Sequence, residues 1–101
     1  MNYQKLILVG NATKDARRRK SKQGDVTYTT FSVGVRDGKE HTTFFPVVVF
    51  GDYGKTLAQY VTKGRQVLIG GRVRVSDNGR FHVVADRVRF GTEPTTTKDS
   101  K

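Results

Sequence analysis

The stretch TTFFPVVVFGDYGKTLAQYVTKGRQVLIGG, residues 42–71, decides the fold of this chain. It opens with β-branched and aromatic side chains over residues 42–50, which are typical of a half-buried strand. Apolar residues at helical spacing follow over residues 55–63, and Gly64 stands where a glycine commonly ends a helix. Strand-like alternation returns over residues 65–75. The stretch therefore predicts a strand, a short helix and a second strand.

The first strand of this stretch is apolar on both faces, because successive side chains of a strand point to opposite sides. Phe44 and Phe50 lie on one face, whereas Phe45 lies on the other and is predicted to belong to the core together with Phe31. One apolar face can line a core, so the other must be covered or used for binding. Pro46 lacks an N–H group, which predicts a bulge or a free edge at that point.

Three further strands are predicted outside this stretch, over residues 3–9, 26–35 and 81–90. Asp37-Gly38 is a typical hairpin turn between the second and third strands. One short helix between the third and fourth of five strands is the layout of an all-β OB-fold, a five-stranded Greek-key barrel.

Composition limits the class of protein. A chain of 101 residues is expected to form one domain over residues 1–91, with a disordered polar tail over residues 92–101. No cysteine is present, which excludes disulfides and thiolate metal sites. No apolar run is long enough to span a membrane and no signal-peptide pattern opens the chain, so we expect a cytoplasmic protein. The chain has no basic amphipathic helix, so we expect no membrane binding. The net charge of +10 is typical of a protein that binds a polyanion.

Basic residues are concentrated in KDARRRKSK, residues 14–22, which is predicted to be a loop that contacts nucleic acid. Aromatic rings stack on the bases of single strands, and Lys or Arg side chains neutralise the phosphates. The candidate nucleic-acid-binding residues are Phe44, Phe50, Tyr60, Arg17, Arg18, Arg19, Lys55, Lys63, Arg72 and Arg74. The two histidines, His41 and His82, lie on separate predicted strands, and no catalytic or phosphate-loop motif is recognisable. We therefore expect no enzyme activity, no cofactor and no metal.

The first predicted strand contains an apolar run of four residues: Leu6, Ile7, Leu8 and Val9. A strand that is apolar on both faces is either central in a sheet or covered by another subunit. We expect these residues to form a homo-oligomer interface.

The sequence LILVGNATKD of residues 6–15 resembles the opening of bacterial single-stranded DNA-binding proteins, and Phe31-Ser32-Val33 resembles their second strand. Residues 50–75 follow the same family in order and spacing, and the resemblance covers about residues 5–90. It implies an OB-fold that binds single-stranded DNA without reading its sequence, during replication, recombination or repair. It also implies a homotetramer or dimer that needs no cofactor.

The resemblance places family contacts on five residues: Phe44 and Phe50 for stacking, and Arg19, Lys63 and Arg74 for the backbone. The chain departs from the family in having no tryptophan, and in Pro46 and Asp52, which stand at positions that are often basic. Residues 91–101 contain neither a glycine-rich linker nor an acidic tip. Recruitment of other proteins through such a tip is therefore not expected.

Three alternatives stay open. Primosomal accessory proteins of the PriB type are also short and tail-less, and they form dimers. RNA-binding OB proteins share the expected chemistry of aromatic and basic side chains. A protein-interaction module would bury the face of Phe44 against a partner protein. The pair Phe44 and Phe50 favours single-stranded DNA, whereas the missing tip favours the primosomal alternative.

Overall fold

A computed structural model describes residues 4–20 and 26–91 of the chain. Within these ranges the chain forms six strands and one helix: β1 Leu6–Ala12, β2 Arg17–Lys20, β3 Thr27–Asp37, β4 His41–Phe50, α1 Gly51–Ala58, β5 Gln66–Val75 and β6 Phe81–Phe90. The predicted tail of residues 92–101 lies outside the described residues. The one helix in the described ranges, α1, has eight residues and is too short to cross a membrane.

Five strands close into a barrel, in the order β1, β5, β6, β4, β3 and back to β1. Two short pairings complete the ring. β1 meets β3 through Asn11 and Ala12, and β4 runs parallel to β6 where Val47 and Val48 face Val83 and Val84. All pairings of the described strands other than β4–β6 are antiparallel, including β1–β3. This arrangement confirms the predicted OB-fold, with α1 between the third and fourth strands of the barrel.

The basic segment differs from its prediction, because Arg17–Lys20 form a strand rather than a loop. This strand, β2, lies outside the ring and pairs antiparallel with β3, from Arg17 opposite Thr30 to Lys20 opposite Thr27. Among the described residues, β3 meets β1 only near Val33 and Gly34, so its first half has an edge to which β2 can pair. A run of like charges has no alternation of apolar and polar residues, so this strand could not be predicted from the sequence pattern.

The helix also differs from its prediction, since α1 spans Gly51–Ala58 rather than residues 55–63. Gly51 has a φ of 76°, a conformation that glycine adopts readily and that turns the chain out of β4. After the helix, backbone hydrogen bonds to residues distant in the sequence replace the helical hydrogen bonds. The N–H of Ala16 donates to the carbonyl of Val61, and the N–H of Gly64 donates to that of Ala12. These bonds hold residues 59–65 against the β1–β2 connection, so Gly64 is not the end of the helix.

The core fills the barrel and is lined by the inward side chains of its strands. On β4 the predicted alternation is confirmed: Val47 and Val49 are buried, and Phe45 packs against the core from a partly buried position. Phe31 is buried as well. The other buried members of the core are Leu8, Ala12, Val33, Leu57, Val61, Val67, Ile69, Val83, Ala85 and Val88.

Candidate nucleic-acid interface

The outward side of β4 carries exposed aromatic rings, whereas the inward side of the same strand faces the core. Phe44 is 58% exposed and Phe50 is 49% exposed, although Val47 between them is fully buried. The two rings are six residues apart on one strand, which corresponds to about 20 Å. We call this surface, formed by the outward side chains of β2, β3, β4, β6 and β5, the aromatic face.

Phe44 lies against a glycine of the neighbouring strand. Gly34 faces it across the β3–β4 pair, and a Cβ on Gly34 would lie 3.3 Å from Cε1 of the Phe44 ring. A groove runs beside the ring, lined by Val9, Asn11, Thr13, Arg36, Thr42 and Gln66 among others. This end of the aromatic face therefore combines a stacking surface with a guanidinium group and side-chain amides.

Phe50 lies in a row with an aromatic residue that the sequence analysis missed. Tyr28 faces Phe50 across the β3–β4 pair, and their ring centroids are 6.0 Å apart with an interplanar angle of 57°. Arg19 faces Tyr28 from β2. The alternation of β3 already placed Tyr28 on the side of Thr30 and Gly34, but its contact with Phe50 depends on the register between two strands.

A row of five paired residues crosses the middle of the aromatic face: Arg17, Thr30, Val48, Val84 and Arg72. Cross-strand partners point to the same side of a sheet, so an exposed arginine ends the row at both sides. The four strand spacings between them amount to about 19 Å along the curved sheet. Arg74 faces His82 on the same side of β5 and β6. The structure thus brings Arg17, Arg19, Arg72 and Arg74 onto the face that carries Phe44 and Phe50.

Arg18 points to the opposite side of β2. Its Nη1 donates a hydrogen bond of 2.9 Å to Oγ1 of Thr29, which is fully buried, and a longer one of 3.5 Å to the carbonyl of Gly51. These contacts tie β2 to the barrel beside the start of α1. The geometry gives Arg18 a positioning role, and its predicted contact with DNA stays a prediction.

Three other candidates also lie away from the aromatic face. The ring of Tyr60 lies 6.1 Å from that of Phe90, an inward-side residue that packs against the core, and Cζ of Arg65 lies 4.8 Å from the centroid of Phe90. Lys55 lies on the exposed side of α1. Lys63 is exposed, and its backbone N–H donates to Oδ1 of Asp15 at 2.8 Å. Their roles in binding stay predictions.

The predicted oligomer interface divides into an inner and an outer part. Leu8 is buried in the core and Leu6 packs against it. Ile7 and Val9 point outward and are 59% and 50% exposed. β1 pairs with β5 along one edge, but in the described chain it meets β3 on the other edge only at its end. Its first half therefore offers an open edge and two exposed apolar side chains.

Comparison with known proteins extends these observations. The profile of the single-strand binding protein family matches residues 3–90. A single-stranded DNA-binding protein of Clostridium tetani is 33% identical over 99 residues, which cover 85% of this chain and 68% of the relative. A single-stranded DNA-binding protein of Thermotoga maritima is 33% identical over 81 residues, which cover 72% of this chain and 57% of the relative.

Solved structures agree in fold. A deletion mutant of the single-stranded DNA binding protein from Thermus aquaticus superposes with a TM-score of 0.74 at 28% identity, over 90% of this chain and 42% of that chain. The chain thus spans between about two fifths and two thirds of the relatives named here. These findings confirm the resemblance read from the sequence and agree with a binding protein rather than an enzyme. The chain belongs to the single-strand binding protein family.

Proposed function

We propose that this chain binds single-stranded DNA across the aromatic face. Bases stack on Phe44 and Phe50, and Arg17, Arg19, Arg72 and Arg74 hold the phosphates. The observation that carries the proposal is the pair of half-exposed phenylalanines on the outer side of a strand whose inner side is core. Membership of the single-strand binding protein family supports the choice of ligand.

The two kinds of side chain supply complementary energies. A stacked base contributes about 1–3 kcal/mol, whichever base it is, because every base has a π-face. Each neutralised phosphate of a single strand releases counterions, which adds about 0.7 to the slope of log affinity against log salt. Four arginine contacts therefore predict a slope of about −3 from this set alone. Both terms are independent of base sequence.

The proposed role is to coat and protect single strands in the cytoplasm during replication, recombination or repair. We further propose a homo-oligomer, either a dimer or a tetramer, assembled through the open edge of β1 with Ile7 and Val9 at its centre. Their exposure, and the edge of β1 opposite β5 that β3 meets only at Asn11 and Ala12 in the described chain, support this assembly. Recruitment of other proteins through an acidic tip is not part of the proposal.

The test is a titration of labelled oligo-dT by fluorescence anisotropy, at several salt concentrations. Phe44→Ala should weaken binding about fivefold to 150-fold, which corresponds to the loss of one stacked base. Phe81→Ala is the matched control, because Phe81 is 44% exposed but lies on the core side of β6 against Phe45. Equal binding by both variants and the unaltered chain would contradict the proposal. A parallel titration with oligo-U measures the preference for DNA over RNA.

A further inference from the structure

We infer that Tyr28 and Arg19 form, together with Phe50, a nucleotide subsite that is separate from the stacking position at Phe44. Its ligand is one nucleotide unit of a single strand, with the base on the two rings and its phosphate on the guanidinium group. This inference rests on the proposed function, because it adds a subsite to the same face.

The rings of Tyr28 and Phe50 are tilted relative to one another rather than stacked in parallel. Their centroids are 6.0 Å apart and their planes are inclined by 57°. Aromatic groups at 4.5–7 Å attract one another in tilted and edge-to-face arrangements. A base that stacks flat on Phe50 therefore meets Tyr28 with its edge, where the phenol group also offers a hydrogen-bond donor. Phe44 has no such second ring among the described residues, since its cross-strand neighbour is Gly34.

Arg19 contacts the aromatic face through one hydrogen bond. Its Nε donates to Oγ1 of Thr30 at 3.4 Å, on the strand next to its own. Arg19 faces Tyr28 across the β2–β3 pair, and Thr30 lies two residues after Tyr28 on the same side of β3, so the side chain of Arg19 extends along this face from Tyr28 towards Thr30. The contact uses one of the five N–H donors of an arginine side chain, and guanidinium groups bind phosphate in a planar, bidentate manner.

The strand that carries Arg19 is fixed in position by its neighbour. Arg18 docks β2 onto buried Thr29 from the inner side, so Arg17 and Arg19 both point outward. They are two residues apart, or about 6.8 Å along the strand. The subsite therefore has two rings and one cation, with Arg17 next to it, and the β2–β3–β4 register sets their positions.

The test compares Tyr28→Leu, which keeps apolar packing without a ring, with Tyr28→Phe, which keeps the ring. We expect Tyr28→Leu to weaken oligo-dT binding about fivefold or more, and Tyr28→Phe to restore most of the affinity. Arg19→Gln should lower the salt slope by about 0.7, whereas Arg80→Gln, in the β5–β6 turn, should leave it unchanged. Thermal unfolding of each variant identifies losses that come from folding.

A double-mutant cycle separates this subsite from the rest of the face. Tyr28→Leu and Phe50→Leu should be non-additive because they contact one base, whereas Tyr28→Leu and Phe44→Ala should be additive. If a folded Tyr28→Leu variant binds as tightly as the unaltered chain while Phe44→Ala binds weakly, the subsite is wrong and the proposed function stands. If Phe44→Ala and Phe50→Leu also bind as tightly, the proposed function itself is wrong.

Discussion

The hydroxyl group of Tyr53 bonds to both backbone groups of Val88. It accepts the N–H of Val88 at 2.8 Å and donates to the carbonyl of Val88 at 3.3 Å. β4 pairs with β6 only as far as Val84, so in the described chain no strand continues that pairing beside Val88. A side chain of α1 thus replaces a strand and ties the helix to the barrel.

Removing this hydroxyl should destabilise the fold. Tyr53→Phe leaves two partly buried backbone groups without their partner, and we expect the free energy of unfolding to fall by about 1–3 kcal/mol. Urea denaturation measures the change. Tyr60→Phe is the matched control, because it keeps the ring beside Phe90. Equal midpoints for the two variants would show that the Tyr53 bonds contribute little.

Two adjacent phenylalanines should respond in opposite ways to truncation. Phe45→Ala should lower the free energy of unfolding by about 3 kcal/mol, the low end for a buried phenylalanine, because the side chain is only partly buried. Phe44→Ala should change stability by about 0.5 kcal/mol or less, as for other surface residues, and should weaken oligo-dT binding. Phe44→Trp should bind at least as tightly, because indole offers a larger stacking surface. The reverse pattern for the two alanine variants would move the site to the other side of β4.

The arginines of β5 should contribute to the salt dependence of binding. Neutralising Arg72 and Arg74 together should flatten the slope of log affinity against log salt by about 1.4, since each phosphate contact adds about 0.7. The double variant Lys39→Gln with Arg80→Gln removes the same charge from two turns and serves as the control. If both double variants change the slope equally, net charge rather than location determines it.

Assembly should depend on the outward side of β1. Ile7→Lys or Val9→Lys places a charge on the open edge, and we expect either variant to dissociate the oligomer while the barrel stays folded. Leu8→Lys, which buries a charge in the core, should unfold the chain instead. Sedimentation velocity measures the state of each variant. An unaltered chain that sediments as a monomer at micromolar concentration would contradict the assembly.

Local patterns predicted those parts of the fold whose side chains alternate clearly. The period of two on β4 separated Phe44 from Phe45 without knowledge of any other strand, and the Asp37-Gly38 signal marked a hairpin in which Gly38 has a φ of 84°. The helix bounds were wrong because long-range backbone bonds, such as that from Ala16 to Val61, compete with helix continuation.

Features that depend on pairing between distant segments could not be predicted from the sequence. Strand β2 exists because β3 offers it an edge, and a run of arginines shows no pattern of its own. Tyr28 became a candidate only when the register placed it opposite Phe50. The sequence could not distinguish Arg18 from Arg17 and Arg19, because all three are arginines of one charged run. Their roles depend on the side of β2 to which each side chain points.

We expect DNA binding to be coupled to the local folding of the edge strand β2. Its four cations repel one another, and it is held by β3 and by the contact from Arg18 to Thr29. Under the proposed function, phosphates bind Arg17 and Arg19 in the paired arrangement and therefore stabilise that arrangement by mass action. Amide hydrogens of residues 17–20 should therefore exchange more slowly with solvent when a single strand is bound, and the salt that weakens binding should also loosen this edge of the sheet.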